Sequence, residues 1–181
     1  VANFAELDGK QPLKIYTKDD GLGANGMFQI YEDSGGGIWI STRSAGESGK
    51  TVARMKAGEQ RFYTFSENEG LPKGKAFSSA AEDDFRNIWF SFYEGGLTRF
   101  NGERFEYFGE NEGLPTGLLS DLHKDKKGRL WIGSTLSGLI RIDDTSAKKT
   151  QFVYLTTADG LTSNNIRTIT EDNFGRIYAG S

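Results

Sequence analysis

One ten-residue pattern occurs four times in this chain, and that repetition restricts it to architectures built from like units. Asp33 to Thr42 reads DSGGGIWIST, Asp83 to Phe92 reads DDFRNIWFSF, Asp125 to Ser134 reads DKKGRLWIGS, and Asp172 to Ser181 reads DNFGRIYAGS. Trp39, Trp89, Trp131 and Tyr178 each follow the leading Asp by six residues. A second marker precedes each copy: Asp20-Gly-Leu22, Glu69-Gly-Leu71, Glu112-Gly-Leu114 and Asp159-Gly-Leu161. The glycines of these markers, Gly21, Gly70, Gly113 and Gly160, lie 49, 43 and 47 residues apart. A period of about 40–50 residues with four strands per unit is the signature of a β-propeller.

Each unit divides into four short strands. The first carries apolar residues six and three before the Asp: Met27 and Ile30, Phe77 and Ala80, Leu119 and Leu122, Ile166 and Ile169. That spacing breaks strict alternation and predicts a bulge or strong twist. The second strand is an apolar triplet, such as Ile38-Trp-Ile40 or Leu130-Trp-Ile132. A continuous apolar run bounded by turns reads as a strand buried on both faces, the situation of a blade between two neighbours. The third strand runs Val52–Met55, Leu97–Phe100 and Leu139–Ile142. The fourth, aromatic and outermost, runs Phe62–Phe65, Phe105–Phe108 and Phe152–Leu155. Turns such as Asn101-Gly102 join third to fourth.

The expected fold is therefore all-β, with blades of four antiparallel strands. Residues 1–16 match the second half of a blade, 17–65, 66–108 and 109–155 are whole blades, and 156–181 is a first half. The complementary halves could close a four-bladed ring, pair between two chains, or belong to a larger propeller. Four blades is the low end of the usual range, so the larger propeller is the preferred reading.

Composition excludes several function classes. Abundant glycine (24 residues) with 13% aromatics suits short strands and tight turns. The net charge of −3 is spread without basic stripes, so neither nucleic acid nor a membrane surface is an expected partner. With no cysteine, disulfides and thiolate metal sites are excluded. No apolar run approaches the roughly 18 residues of a membrane span, and Val1 begins no signal-peptide pattern.

Candidate chemistry is sparse. The tryptophans read as wedges between blades, since a strand buried on two faces offers no sugar-stacking surface; burying one ring is worth at most about 4–6 kcal/mol. Arg54, Arg99 and Arg141 recur at one position of the third strand and read as ion pairs rather than an anion-reading ring. The acidic turns Glu32-Asp33, Glu82-Asp83 and Glu171-Asp172 lack the alternating ligand spacing of a calcium loop. Ser44-Ala-Gly-Glu-Ser-Gly-Lys-Thr51 nearly matches a phosphate-binding loop, but Ser44 replaces the first glycine and a strand follows where a helix is required. It reads as a five-residue insertion. His123 is the only histidine, with Asp121 two residues away; Tyr31, Ala81 and Thr170 fill its position elsewhere, so the fold does not demand an imidazole. No nucleophile accompanies it. No cofactor or metal is expected.

Taken in register, these units resemble the two-component regulator propeller repeat, whose pattern runs D-G-L-x-x-N, E-D-x-x-G-x-I-W-I-G-T, then G-L-x-R-F-D. Asp159-Gly-Leu-Thr-Ser-Asn164, Gly128-Arg-Leu-Trp-Ile-Gly133 and Gly138-Leu-Ile-Arg-Ile-Asp143 carry it. Arg86 for the turn glycine, Tyr178 for Trp, Lys124 for Glu and the insertion near Gly46 depart from it. The resemblance implies a seven-bladed propeller in the periplasmic sensor part of a bacterial hybrid histidine kinase, with carbohydrate fragments as a frequent signal. It implies a ligand-sensing or partner-docking module rather than an enzyme, with other receptor domains, an oligosaccharide, or a second copy through the half-blades as partners. A propeller enzyme of the streptogramin lyase type, relying on His123, and a pure scaffold are the alternatives. Because inter-unit loops and the loops between second and third strands open on one face, Arg43, Glu47, Tyr93, Glu94 and Ser137 are the expected contact residues.

Overall fold

The structure, a computed structural model, describes residues 14–42, 51–73, 75–115 and 117–181. Strands β1 (Met27–Glu32), β2 (Ile38–Thr42), β3 (Val52–Met55) and β4 (Tyr63–Phe65) form one antiparallel sheet in chain order. The same order recurs in β5 (Phe77–Glu82), β6 (Ile88–Phe92), β7 (Leu97–Phe100) and β8 (Phe105–Phe108), and in β9 (Leu119–Lys124), β10 (Leu130–Ser134), β11 (Leu139–Ile142) and β12 (Val153–Leu155). Strands β13 (Thr168–Glu171) and β14 (Ile177–Gly180) make a two-stranded sheet. The chain is all-β and bladed, as the repeat predicts. Of the expected leading half-blade, residues 1–13 lie outside the described residues; Tyr16 sits edge-on against Phe62 with ring centroids 5.4 Å apart.

The first strands line up side by side, β1 against β5, β5 against β9 and β9 against β13. The irregularity expected in them is a bulge at one position. Met27 and Gln29 pair with Thr42 and Ser41, Phe77 and Ser79 with Phe92 and Ser91, and Leu119 and Asp121 with Ser134 and Gly133. Phe28, Ser78 and Ser120 are each skipped. An extra residue in one strand bends it and redirects its own side chain.

The second strands are the buried centre: every residue of β6 and β10 is buried, and four of five in β2. Each tryptophan fills the gap to the following blade. Trp39 lies 5.1 Å from both Phe90 and Phe100 of the second blade. Trp89 shares a cluster with Leu122, Leu130 and Ile132 of the third, and Trp131 one with Ile166, Ile169 and Ile177 of the fourth. Tyr178 occupies the same repeat position, yet it is 49% exposed. The tryptophan site exists only where a next blade covers it.

The Asp/Glu-Gly-Leu markers are ends of 3-10 turns at Lys18–Asp20, Glu67–Glu69, Glu110–Glu112 and Thr157–Asp159. In three of them a Thr or Ser caps the turn while the acid accepts that residue's backbone N–H: Thr17 with Asp20, Ser66 with Glu69, Thr156 with Asp159. Gly21, Gly70, Gly113 and Gly160 then take left-handed φ values of 90–102° to end it. The capping pairs show in the sequence as Thr or Ser three residues before the acid.

Candidate functional site

Two sets of residues repeat blade by blade, one holding the fold and the other facing the inner edge. The first is built on the leading Asp. One carboxylate oxygen of Asp125 accepts from the Lys127 and Arg129 amides, shaping the hairpin; the other accepts from Trp131 Nε1 at 2.8 Å and Arg129 Nε at 2.6 Å. Asp33 does the same for the Gly35 and Gly37 amides and for Trp39, with Arg54 as the added cation. Asp83 holds Trp89 at 2.9 Å. Burial works to raise the Asp33 and Asp125 carboxyls, but these donors outweigh it and hold both below the ordinary aspartate range. The constant six-residue spacing is the sequence trace of this Asp-to-indole bond. Donors already occupy these carboxylates, and among the described residues no group of three His, Asp or Glu side chains is placed to hold a metal.

The recurring arginines belong to the same set. Arg54 pairs with Asp33 at 2.6 Å, Arg99 with Glu106 at 2.5 Å and Arg141 with Asp143 at 2.6 Å. Each guanidinium also lies over a tryptophan ring, 4.8–5.4 Å from its centroid. Blade boundaries are further tied at the hairpins, where Ser34 donates to Glu82, Lys124 pairs with Asp84, and the Lys126 amide donates to Glu171.

The second set comes from the bulges. Phe28, Ser78 and Ser120 are the bulge residues, and Arg167 holds the equivalent place just before β13. All four line one cavity of about 530 Å³ at the inner edge of the row. The two serines are committed to the frame: Ser78 Oγ donates to Leu119 O of the next blade at 2.7 Å, and Ser120 Oγ to Ile166 O at 2.6 Å. Among the described residues, Phe28 and Arg167 make no such side-chain bond. Loops after the second strands complete the wall with Tyr93, Thr135 and Leu136. Phe28 and Tyr93 meet edge to face at 6.0 Å, and they are 44% and 47% exposed. A second groove of about 410 Å³ opens beside the same loop, lined by Lys75, Glu94, Tyr107 and Glu112 among others. Burial, with Glu112 and Glu110 nearby, raises the Tyr107 phenol.

Of the contact residues expected from topology, Tyr93 lines the cavity and Glu94 the adjoining groove. Ser137 lies beside the cavity-lining Leu136, its amide donating to Ser134 Oγ. Arg43 and Glu47 lie outside the described residues, as does most of the insertion; at its end, Thr51 Oγ1 donates to Lys75 O on the groove side. His123 is away from both cavities, opposite Trp131 in the strand pairing and 3.8 Å from Glu171. Asp121 is taken up between blades, accepting from Ser79 Oγ, its own strand's Leu122 amide and the Ile169 amide of the fourth blade. The cavity residues Phe28 and Arg167 escaped sequence reasoning. Their one signal is that Phe28, Ser78, Ser120 and Arg167 share a repeat position yet differ in chemistry.

Comparison with known proteins agrees with this architecture. The profile of the family described as Two component regulator propeller matches residues 21–44 and 160–181. No curated protein matches the chain. Among solved structures, the extracellular domain of a protein assigned as a hybrid two component system in B. thetaiotaomicron superposes with a TM-score of 0.70 at 22% identity, over 84% of this chain and 20% of that one. The extracellular domain of a protein assigned as a one component system in the same organism gives 0.71 at 19% identity, over 94% and 22%. This chain thus spans about a fifth of either. A catalytically inactive virginiamycin B lyase from Staphylococcus aureus, solved with quinupristin, gives 0.63 at 18% identity, over 96% and 54%. At these identities the likeness is one of fold. Repeat, blade topology and profile agree: the chain is a β-propeller whose first and last repeats match the two component regulator propeller family.

Proposed function

We propose that this chain is part of the extracytoplasmic sensing propeller of a two-component signalling protein, and that its inner-edge cavity takes an oligosaccharide. The observation that carries the reading is the cavity itself, to which each of the four blades contributes the same repeat position. Phe28, Tyr93 and Leu136 leave an apolar surface exposed there, beside the amides of Gln29 and Asn165. Sugar rings need that combination, a C–H face on an aromatic and polar partners for hydroxyls. Exposed apolar surface rimmed by polar groups marks an interaction site. The extracellular assignment of the structural neighbours supports the location, and among the described residues no helix is long and apolar enough to cross a membrane.

The reading is of a binding module rather than an enzyme, because His123 stands away from the cavity and Asp121 serves blade-to-blade bonds. The open faces at Ile30 and Tyr178, 45% and 49% exposed, are the seats for further blades of the receptor. The test is calorimetric titration of the chain with a broad panel of oligosaccharides, paired with Phe28→Ala and Tyr93→Ala. Binding that both substitutions weaken supports the proposal. A panel without binding, or binding that neither substitution touches, refutes it.

A further inference from the structure

We infer that the cavity selects an anionic saccharide, with Arg167 reading its carboxylate or sulfate; this deepens the oligosaccharide reading above and rests on it. Arg54, Arg99, Arg129, Arg141 and Arg176 are each neutralised by a carboxylate within 2.6 Å. Each also lies over an aromatic ring. Arg167, like Arg61, Arg86 and Arg104, has no such partner among the described residues, but of these four it is the one that lines the cavity. It is anchored through its backbone, its amide donating to Gly180 O at 2.7 Å, while among the described residues no carboxylate lies within ion-pair distance of its guanidinium. It is exposed, and among the described residues no acidic side chain lines the cavity with it. The repeat position that places a serine hydroxyl on the neighbouring blade in the second and third units here brings Arg167, with no carboxylate partner among the described residues, to the ligand space. Nearby, the buried Asn165 Oδ1 has no donor among the described residues, which leaves an acceptor for a sugar hydroxyl. A planar guanidinium with free donors matches carboxylate or sulfate geometry in two parallel bonds. Phe28, at the equivalent position of the first blade, supplies the stacking face.

The experiment compares trigalacturonate with neutral galactotriose, and a sulfated galactotriose with both, by calorimetric titration of the full chain and of Arg167→Gln and Phe28→Ala. A charge-assisted bond of the usual strength predicts that an anionic trimer binds about ten- to a hundred-fold more tightly than the neutral one. The preference shrinks as salt rises. Which anionic arm binds more tightly separates carboxylate from sulfate. Arg167→Gln removes the preference while leaving the melting temperature unchanged, since only the backbone of this residue is bonded. Phe28→Ala weakens anionic and neutral ligands alike. If neutral and anionic trimers bind equally and Arg167→Gln changes neither, the charge inference is overturned while saccharide binding stands. If no trimer binds, both readings fall.

Discussion

Asp125→Asn tests whether the carboxylate, rather than the shape of the hairpin, organises each blade. Asparagine keeps the size but replaces one oxygen with an NH2 group. If its oxygen stays on the Lys127 and Arg129 amides, the NH2 faces two donors, Trp131 Nε1 and Arg129 Nε, which now stand 2.8 and 2.6 Å from an acceptor. Turning the amide over restores the indole's acceptor and breaks the turn. Leaving the buried indole N–H unpaired costs about 1–3 kcal/mol, and losing the partly exposed Arg129 bond adds up to about 1 kcal/mol. The sum, about 1–4 kcal/mol, corresponds to a drop of roughly 2–16 °C in melting temperature for a chain of this size. Tyr178→Phe is the internal control: the equivalent bond, Tyr178 to Asp172 at 3.2 Å, lies in a half-exposed site, so its loss costs less than about 0.5 kcal/mol. The pH dependence has a definite sign. The Asp125 carboxyl is held below its ordinary value, so its contribution is complete above the unfolded aspartate range and disappears as pH falls through the lower folded value. The gap between wild type and Asp125→Asn is therefore widest near neutrality and closes in acid. Differential scanning calorimetry from neutral pH into the acid range measures both effects. A variant melting within about 1 °C of wild type at neutral pH, or a gap that does not close in acid, refutes the reasoning.

Arg86 takes a left-handed φ of 64° where Gly36, Gly128 and Gly175 stand at 77–79°, so Arg86→Gly relieves a cost of about 1–2 kcal/mol and returns some as chain entropy. A net gain of about 0.5–1 kcal/mol is expected in urea titrations, and a loss would contradict the conformational argument. Ser120→Ala removes a blade-to-blade bond to Ile166 O and lowers stability by about 1 kcal/mol, measured in the same titration. Asp121→Ala strips the acceptor from the Ile169 amide and costs about 1–3 kcal/mol; a neutral result would mean that this carboxylate does not bind the blades together. His123→Ala leaves saccharide binding unchanged, and loss of a measurable turnover in this variant would instead favour the enzyme reading.

The blades are legible in the sequence, because hydrophobic runs, turn residues and their spacing are local properties repeated four times in register. So are the bulge, visible as broken alternation between Met27 and Ile30, and the placement of Trp39, Trp89 and Trp131 in buried strands. What covers each position depends on packing between blades. Tyr178 sits in the same local pattern as the tryptophans, yet it remains half exposed because burial there is supplied by the following blade. The same holds for the cavity. Nothing local distinguishes Ser120, spent on a neighbour's carbonyl, from Arg167, left without an ion-pair partner among the described residues. The shared repeat position places both at the inner edge, and only the neighbouring blade's atoms settle whether the side chain is consumed by the frame or left to a ligand.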